Sequence, residues 1–457
     1  MLAKKKQLVG GIIVAIAGLW APEGLQAAAS SAPQEDEERE LYWSEEDEPI
    51  QFNRSELYRA QALNKWFEKS EHWAFGGIVL LSLGEEWHPA AMKSVLSALR
   101  AKGEYLPSYA VEQLFQTDSD LLRYMLPKDV LEELISVGLK GKSNLRQERI
   151  VELLSNVYSE VYAETPKEWT KWWKENRDQH VLPEVILEFD PDEAEQGSVS
   201  SGFVERAFDL RSAGMELVIV MDSTGSMQTT IDATVTALKD FTAIIEGISP
   251  KFRLGLVEYK DTTDISHGAR IIEPLNKNPN KVRKKLEGLA ASGGGDFPEA
   301  VLGGLEYALS DKIGWERSAN KLVVIVGDAP PHSRDLDKAI AAAEAANKSP
   351  FGVDASLLLE VTKDGKSSSK RGVRPFIISA LGVGTTGVHG DTRSSFQDIS
   401  EAGGGAYAEV LLSTRSGQAS ADIASHILSL SFGSRWSDQT DAFVEIFFAY
   451  REAGLFQ

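Results

Sequence analysis

The sequence predicts a doubly wound α/β domain with a mostly parallel sheet, preceded by an all-α domain. Three observations carry that prediction. From Gly214 onward, short continuous apolar runs such as Leu217–Met221 alternate with stretches of helical periodicity, the pattern of strands buried on both faces and joined by helices. From about Ser55 to Val181 every periodic stretch has helical spacing. Between them lies a segment that is first acidic and then rich in glycine and serine, which reads as a linker.

The chain has 457 residues, 42% of them hydrophobic and 25% charged, an ordinary balance for two or three globular domains. Its net charge of −20 repels nucleic acid and anionic lipid at long range, so no nucleic-acid partner is expected. Basic partners and divalent cations fit better. There is no cysteine, which excludes a lipidated cysteine and any disulfide.

At the start, Lys4, Lys5 and Lys6 precede an apolar run from Leu8 to Trp20, and Ala27, Ala28 and Ala29 offer small-residue cleavage positions. This reads as a secretory signal over residues 1–29. The run is shorter than the roughly 20 residues that span a bilayer. The expectation is a secreted or periplasmic chain of a bacterial envelope, with no stable membrane insertion after cleavage.

Residues 30–54 form an acidic lead-in, with nine acidic side chains and one arginine between 35 and 48. Such runs are solvated and disordered. Residues 55–185 form the helical domain. Met92, Val95, Leu96 and Leu99 sit at helical spacing behind Pro89, and Ile150, Leu153, Leu154, Val157 and Tyr158 repeat it. Thr165-Pro166-Lys167-Glu168 is a capping box that starts a further helix and sets Trp169, Trp172 and Trp173 on one face. Aromatics so spaced are core or a docking face. Gly103, Pro107, Pro127 and Gly141 punctuate the segment, which resembles stacked helix pairs of the HEAT-like kind. The linker covers residues 186–213.

Residues 214–435 carry the α/β pattern. After Leu217–Met221 comes a helix through Ile231, Val235, Leu238, Phe241 and Ile245. Strands follow at Arg253–Tyr259, Leu322–Gly327, Phe376–Gly382 and Ala406–Val410, with an edge strand at Arg270–Leu275. Residues 436–457 remain as a C-terminal extension.

Ligands of such folds sit outside the carboxyl ends of the strands, and hard oxygen donors fall there. Asp222-Ser223-Thr224-Gly225-Ser226 offers one carboxylate and three hydroxyls around a turn. Asp328 follows a second strand. Gly293-Gly294-Gly295-Asp296-Phe297-Pro298-Glu299 delivers a further carboxylate from a glycine-rich loop entering a helix. Oxygen-only ligation argues against zinc or copper and suits magnesium best, with manganese or calcium as the other candidates.

Asp222-x-Thr224-x-Ser226 is similar to the Asp-x-Ser-x-Ser signature of von Willebrand factor A (vWA) domains. Asp328 matches that family's third metal loop, and Gly293 to Ala300 resembles the second loop of a large bacterial branch. The resemblance implies a vWA, Rossmann-like fold over about residues 214–435. It also implies a metal-ion-dependent adhesion site of Asp222, Thr224, Ser226, Asp296 and Asp328, which captures an acidic side chain of a protein partner. Thr224 replaces the usual serine and keeps the hydroxyl. Asp296 replaces a threonine, and each added negative charge lowers the ion's attraction for an acidic ligand.

The expectation is therefore a binding module and no enzyme. A metal-assisted hydrolase using the same carboxylates is the alternative. His332, four residues after Asp328, is the one histidine near the site. Ser226 lacks a nucleophile elbow, and no phosphate-binding Gly-Lys loop is present. The basic excursion Lys363 to Arg374 reads as a solvated loop, with an acidic contact as the second reading.

Overall fold

The elements run in the order β1 Ile50–Asn53, α1 Arg54–Glu68, α2 Trp73–Glu85, α3 Met92–Leu99, α4 Tyr105–Phe115, α5 Ser119–Arg123, α6 Lys128–Glu132, α7 Asn144–Val157, α8 Pro166–Asn176 and β2 Val185–Glu188. Next come α9 Gly202–Ala213, β3 Met215–Asp222, α10 Gln228–Ile248, β4 Arg253–Tyr259, β5 Ala269–Asn276, α11 Pro279–Glu287, α12 Val301–Leu309 and β6 Asn320–Gly327. The chain continues through α13 Ser333–Asn347, β7 Phe376–Gly384, α14 Gly390–Ala402, β8 Gly404–Leu411, α15 Gln418–Phe432 and α16 Ser437–Glu452. This computed structural model describes residues 50–85, 88–141, 143–182, 185–188, 202–265, 268–295, 297–348, 374–412 and 417–456. The leader, most of the acidic lead-in, Asp296 and residues 363–373 of the basic excursion lie outside the described residues.

Six strands form the main sheet in the order β5-β4-β3-β6-β7-β8, with only β5 antiparallel. The chain builds outward from β3 to β4 and β5 on one side, then to β6, β7 and β8 on the other. The switch between the two directions leaves a crevice at the carboxyl ends of β3 and β6. Along β3 the side chains alternate between two cores. Leu217, Ile219 and Met221 join one, while Val218 and Val220 join the other, as the two-residue period of a strand requires. Every residue of β3 is buried, which is why its sequence reads as one apolar run.

The second core is local, made by the sheet with α12, α13 and α14. The first continues from the sheet through α10 and α15 into the helical region. There Trp73 of α2 stacks near Phe443 and Phe447 of α16, with ring centres 6.2 and 5.7 Å away. The Tyr109 hydroxyl donates to the Phe443 carbonyl at 2.9 Å, and the Tyr450 hydroxyl donates to Glu112 at 2.9 Å. Arg451 pairs with Asp240 on α10. Residues 436–457, set apart by the sequence as an extension, therefore contribute α16 to the shared core.

Two further expectations change. Residues 202–213 of the presumed linker form α9, whose Phe203, Val204, Ala207 and Leu210 are buried. The composition of 186–201 set the boundary too far on. Ile50–Asn53, assigned to the lead-in, pairs in parallel with Val185–Glu188, so the two ends of the helical region are tied by a short sheet. The capping box at Thr165 has both of its reciprocal hydrogen bonds. Trp169 and Trp173 of α8 are buried, so that face is core. Pro107, read as punctuation, sits in the first turn of α4, where the missing N–H costs nothing.

One core across both regions predicts one unfolding event. Phe443→Ala should cost about 3–5 kcal/mol, as large-to-small changes of buried aromatics do. Urea denaturation followed by tryptophan fluorescence and by far-ultraviolet circular dichroism should give coincident transitions. Two separated transitions would show that the helical region and the sheet fold apart.

Candidate metal centre

Asp222 is the last residue of β3 and is fully buried. Its Oδ1 accepts two hydrogen bonds at 2.8 Å, from the backbone N–H and from the hydroxyl of Thr224. Its Oδ2 is buried without a well-formed hydrogen bond, the Tyr259 hydroxyl being the neighbouring donor that interacts with the carboxyl. Burial pushes the carboxyl up to about 7, opposed by the Thr224 bonds and helped by the charge of Asp328. Lys260 also opposes the shift, but its ammonium is tied to the Ser292 carbonyl at 2.7 Å and hydroxyl at 3.0 Å.

The hydroxyls of this loop divide. Thr224 turns inward onto Asp222, and Ser226 is exposed in the turn Gly225–Met227 that leads into α10. Ser223 points the other way, donating to Glu258 at 2.6 Å, where Arg270 also pairs. Ser223, which the expected ligand set leaves out, serves the sheet.

Asp328 follows β6 and is half-buried. Its carbonyl accepts from the Thr392 hydroxyl at 3.0 Å, which fastens this loop to α14. The glycine loop is stitched to the first loop, since Gly225 N–H donates to the Gly293 carbonyl at 3.2 Å and Ser292 N–H to the Ser223 carbonyl at 3.1 Å. Gly293 and Gly294 have φ of 79° and 87°, a region that side chains resist. The Gly294 N–H donates to Asp264 at 2.8 Å, and a Cβ on Gly293 would strike the same carboxylate. Asp296 lies outside the described residues. Beside it, Phe297 is half-exposed with its ring 4.7 Å from that of His389.

Two residues beyond the sequence reading belong to this site. Glu299 is only 3% exposed, and its Oε2 has no hydrogen-bond partner. Burial and the charges of Asp222, Asp261, Asp264 and Asp328 push it up to about 8. Its place three residues after Asp296 marked the loop, but nothing in the spacing said that it turns inward. Tyr259, paired with Asp222 in register, is fully buried, and burial with the charge of Asp222 holds its hydroxyl well above the usual range. A Cβ on Gly327 would collide with that hydroxyl and lie 3.3 Å from Asp222 Oδ2. The glycine that ends β6 thus makes room for both. His332 begins α13 with a buried and unpartnered Nε2, and no hydrogen bond joins it to Ser226 among the described residues.

Buried carboxylate oxygens without partners are costly, and a cation relieves that cost. The donor set here fits a hard divalent ion on that ground. Among the described residues no three carboxylate or imidazole side chains are grouped to hold an ion; an ion here would draw on the hydroxyls of Thr224 and Ser226 as well as on Asp222 and Asp328.

Comparison with a sequence-family model agrees with the architecture. Residues 216–412 match the sequence model described as von Willebrand factor A domain, and this segment is a vWA domain. Similar solved structures include the conserved hypothetical protein BatB from Bacteroides thetaiotaomicron, at 17% identity and a TM-score of 0.29, covering 48% of this chain and 99% of that one. Another is the vWF domain of the type V pili tip protein Mfa5 from Porphyromonas gingivalis, at 12% identity and a TM-score of 0.29, covering 47% of this chain and 94% of that one. No curated protein matches.

The raised carboxyls predict a pH dependence. Asp222 and Glu299 titrate near 7 and 8 when folded, above ordinary values of 3.8 and 4.5. Between roughly pH 4 and 8 the folded state then holds protons that the unfolded chain has released, so their contribution to stability falls as pH rises. In chelator, Glu299→Gln should melt higher than wild type at about pH 8 and lose that advantage near pH 4. Thermal melts across this range check it, and a glutamine variant that melts lower at pH 8 would contradict an unpaired buried carboxylate.

Proposed function

We propose that this chain is an exported, metal-dependent protein-binding protein whose vWA domain holds Mg²⁺ at the carboxyl ends of β3 and β6. The observation that carries this reading is the buried, unpartnered Oδ2 of Asp222, with Thr224, Ser226 and Asp328 on loops around it. Asp222, Thr224, Ser226 and Asp328 would hold the ion, with Asp296 as a further ligand; manganese or calcium suits the same oxygens. When bound, the ion supplies a positive centre that an acidic side chain of a partner completes.

The protein's own residues do the rest. Asp222 fixes the Thr224 hydroxyl through a 2.8 Å bond. The glycine loop holds the first loop in place from the backbone. Phe297 and His389 form a half-exposed aromatic rim on which apolar atoms flanking the partner's acidic group can pack. Export rests on the Lys4–Lys6 and Ala27–Ala29 signals. Among the described residues no helix is long and apolar enough to cross a membrane.

Mass action makes the metal claim measurable. Mg²⁺ at 100 times its dissociation constant should stabilise the protein by about 2.7 kcal/mol, and Asp222→Ala should remove the effect. Equal responses in both proteins would take the site out of the argument. For the partner, binding to envelope extract should need Mg²⁺ and vanish in Asp328→Ala. Asp296→Thr, which removes a negative charge near the ion, should strengthen it. Full binding in chelator would move recognition to another surface. N-terminal sequencing of the mature protein should begin between Ala28 and Ala32, and retention of Met1 would point to an anchor.

A further inference from the structure

A second site lies at the other end of the sheet. Near the amino-terminal ends of β3, β6, β7 and β8, a cavity of about 340 Å³ is bounded by α9 and by the turn between α15 and α16. Four cations line it, Arg206, Lys321, Arg374 and Arg435, and no carboxylate does among the described residues. Behind them stands Asp209, which accepts two bonds of 2.6 Å from Arg374 and one of 3.1 Å from Arg206.

The remaining bonds of the inner cations go to neutral oxygens. Arg206 donates to the Phe432 and Ser431 carbonyls at 3.1 and 3.0 Å. Lys321 donates to the carbonyls of Arg317 and Arg374 at 2.7 and 3.0 Å, with a third contact to Ala319 at 3.4 Å. Carbonyls satisfy donors but leave the charge standing. Among the described residues Asp209 is the carboxylate hydrogen-bonded to these inner cations, while Glu216, whose charge acts on Lys321, is bonded to Arg253 and the Glu316 N–H. Burial pushes Lys321 down to about 8, opposed by the charge of Glu216 and helped by that of Arg374.

At the mouth Arg435 is exposed and lies 4.7 Å from the centre of the Trp436 ring. It makes no ion pair with a described residue. Ile377, Ala406 and Trp436 give the cavity partly exposed apolar walls. In a protein of net charge −20, a half-apolar cavity with an unbalanced positive lining is a site for a negative ligand. Its volume lies in the range of small-molecule sites.

We propose that this cavity binds a small organic anion, whose acidic group meets Arg435 in the field of Arg374 and Lys321 while its apolar body packs on Ile377 and Trp436. Carboxylate and phosphate esters share the required chemistry. The site owes nothing to the metal centre, so it is tested in chelator.

Titration calorimetry of the full chain with phenylacetate, phenyl phosphate, inorganic phosphate and benzyl alcohol separates the contributions. At least one aromatic anion should bind at millimolar concentration or better. Inorganic phosphate should bind more weakly than phenyl phosphate, and benzyl alcohol about tenfold or more below the better anion, a charge-assisted bond being lost. Arg435→Ala, at an exposed position, should weaken the anion by about tenfold. Ala406→Glu would supply the missing carboxylate from within. It should abolish anion binding and melt above Ala406→Gln, which keeps the bulk without the charge. No anion binding in wild type, equal binding of benzyl alcohol, indifference to Arg435→Ala, or Ala406→Glu melting below Ala406→Gln would each overturn the proposal.

Discussion

A carboxylate buried at the end of the central strand, with no cation in hydrogen-bond contact with it, is the constraint around which the α/β domain is arranged. Asp222 accepts hydrogen bonds on one oxygen only, and the nearby ammonium of Lys260 is held by Ser292. Neighbouring features accommodate that group and do not neutralise it. Gly327 leaves space that a Cβ would fill, and the Tyr259 hydroxyl projects into it. The Gly293–Gly294 turn brings backbone against the first loop where no side chain fits. Glu299 adds a second unpartnered carboxylate oxygen. A protein selected for stability alone would place a neutral residue at Asp222, because an unpaired buried charge costs several kcal/mol. That cost is what a bound cation would relieve.

The helical region bears on this arrangement through α10, which starts directly after the Asp222 loop. Its buried face packs into the core that α2, α9 and α15 share, and Asp240 on it pairs with Arg451 of α16. The helix that leaves the metal loop is therefore held at its far end by residues outside the α/β pattern. A segment cut at 214–435 would lose α16 and uncover the α10 surface that α2 covers. Its behaviour would reflect that exposed apolar area as well as the site.

Much of the α/β domain was legible in the sequence because buried parallel strands have a strong signature. Leu217–Met221 and Leu322–Gly327 are apolar without interruption, and each ends on an oxygen donor. The strand-end placement of Asp222, Thr224 and Asp328 was readable for the same reason. The inward turn of Glu299 was not readable, because it depends on a bridge between Glu299 and Pro331 from distant parts of the chain. Ser223 and Ser226 look alike in sequence, and only the register of β3 with β4 decides that Ser223 faces Glu258. The helices α9 and α16 were missed for a further reason. The Gly/Ser run to Gly202 hid the amphipathic start of α9, and α16 draws its partners from residues more than 300 positions away.

The sheet separates charge along its strands, with cations at the amino-terminal edge and carboxylates at the carboxyl edge. β3 spans eight residues, so the two edges stand roughly 23 Å apart at about 3.3 Å per residue. That is nearly three Debye lengths at physiological ionic strength, the length being about 8 Å. Through solvent the two sites scarcely feel one another. Through the buried sheet the field is screened less, but the strand between them carries only apolar side chains at Leu217–Met221, with no chain of polar groups to relay a change. Ligand at one edge can alter the other only by moving packed elements. β3 and β6 each run from the cavity to the carboxyl edge, and beside them lies the first core, where α15 ends at the cationic cavity and its body packs on α10. Coupling between the two edges has two routes, a shift of β3 and β6 along their length or a shift of α15 against α10, and Ile244 and Ile427 are buried residues of those two helices in the first core.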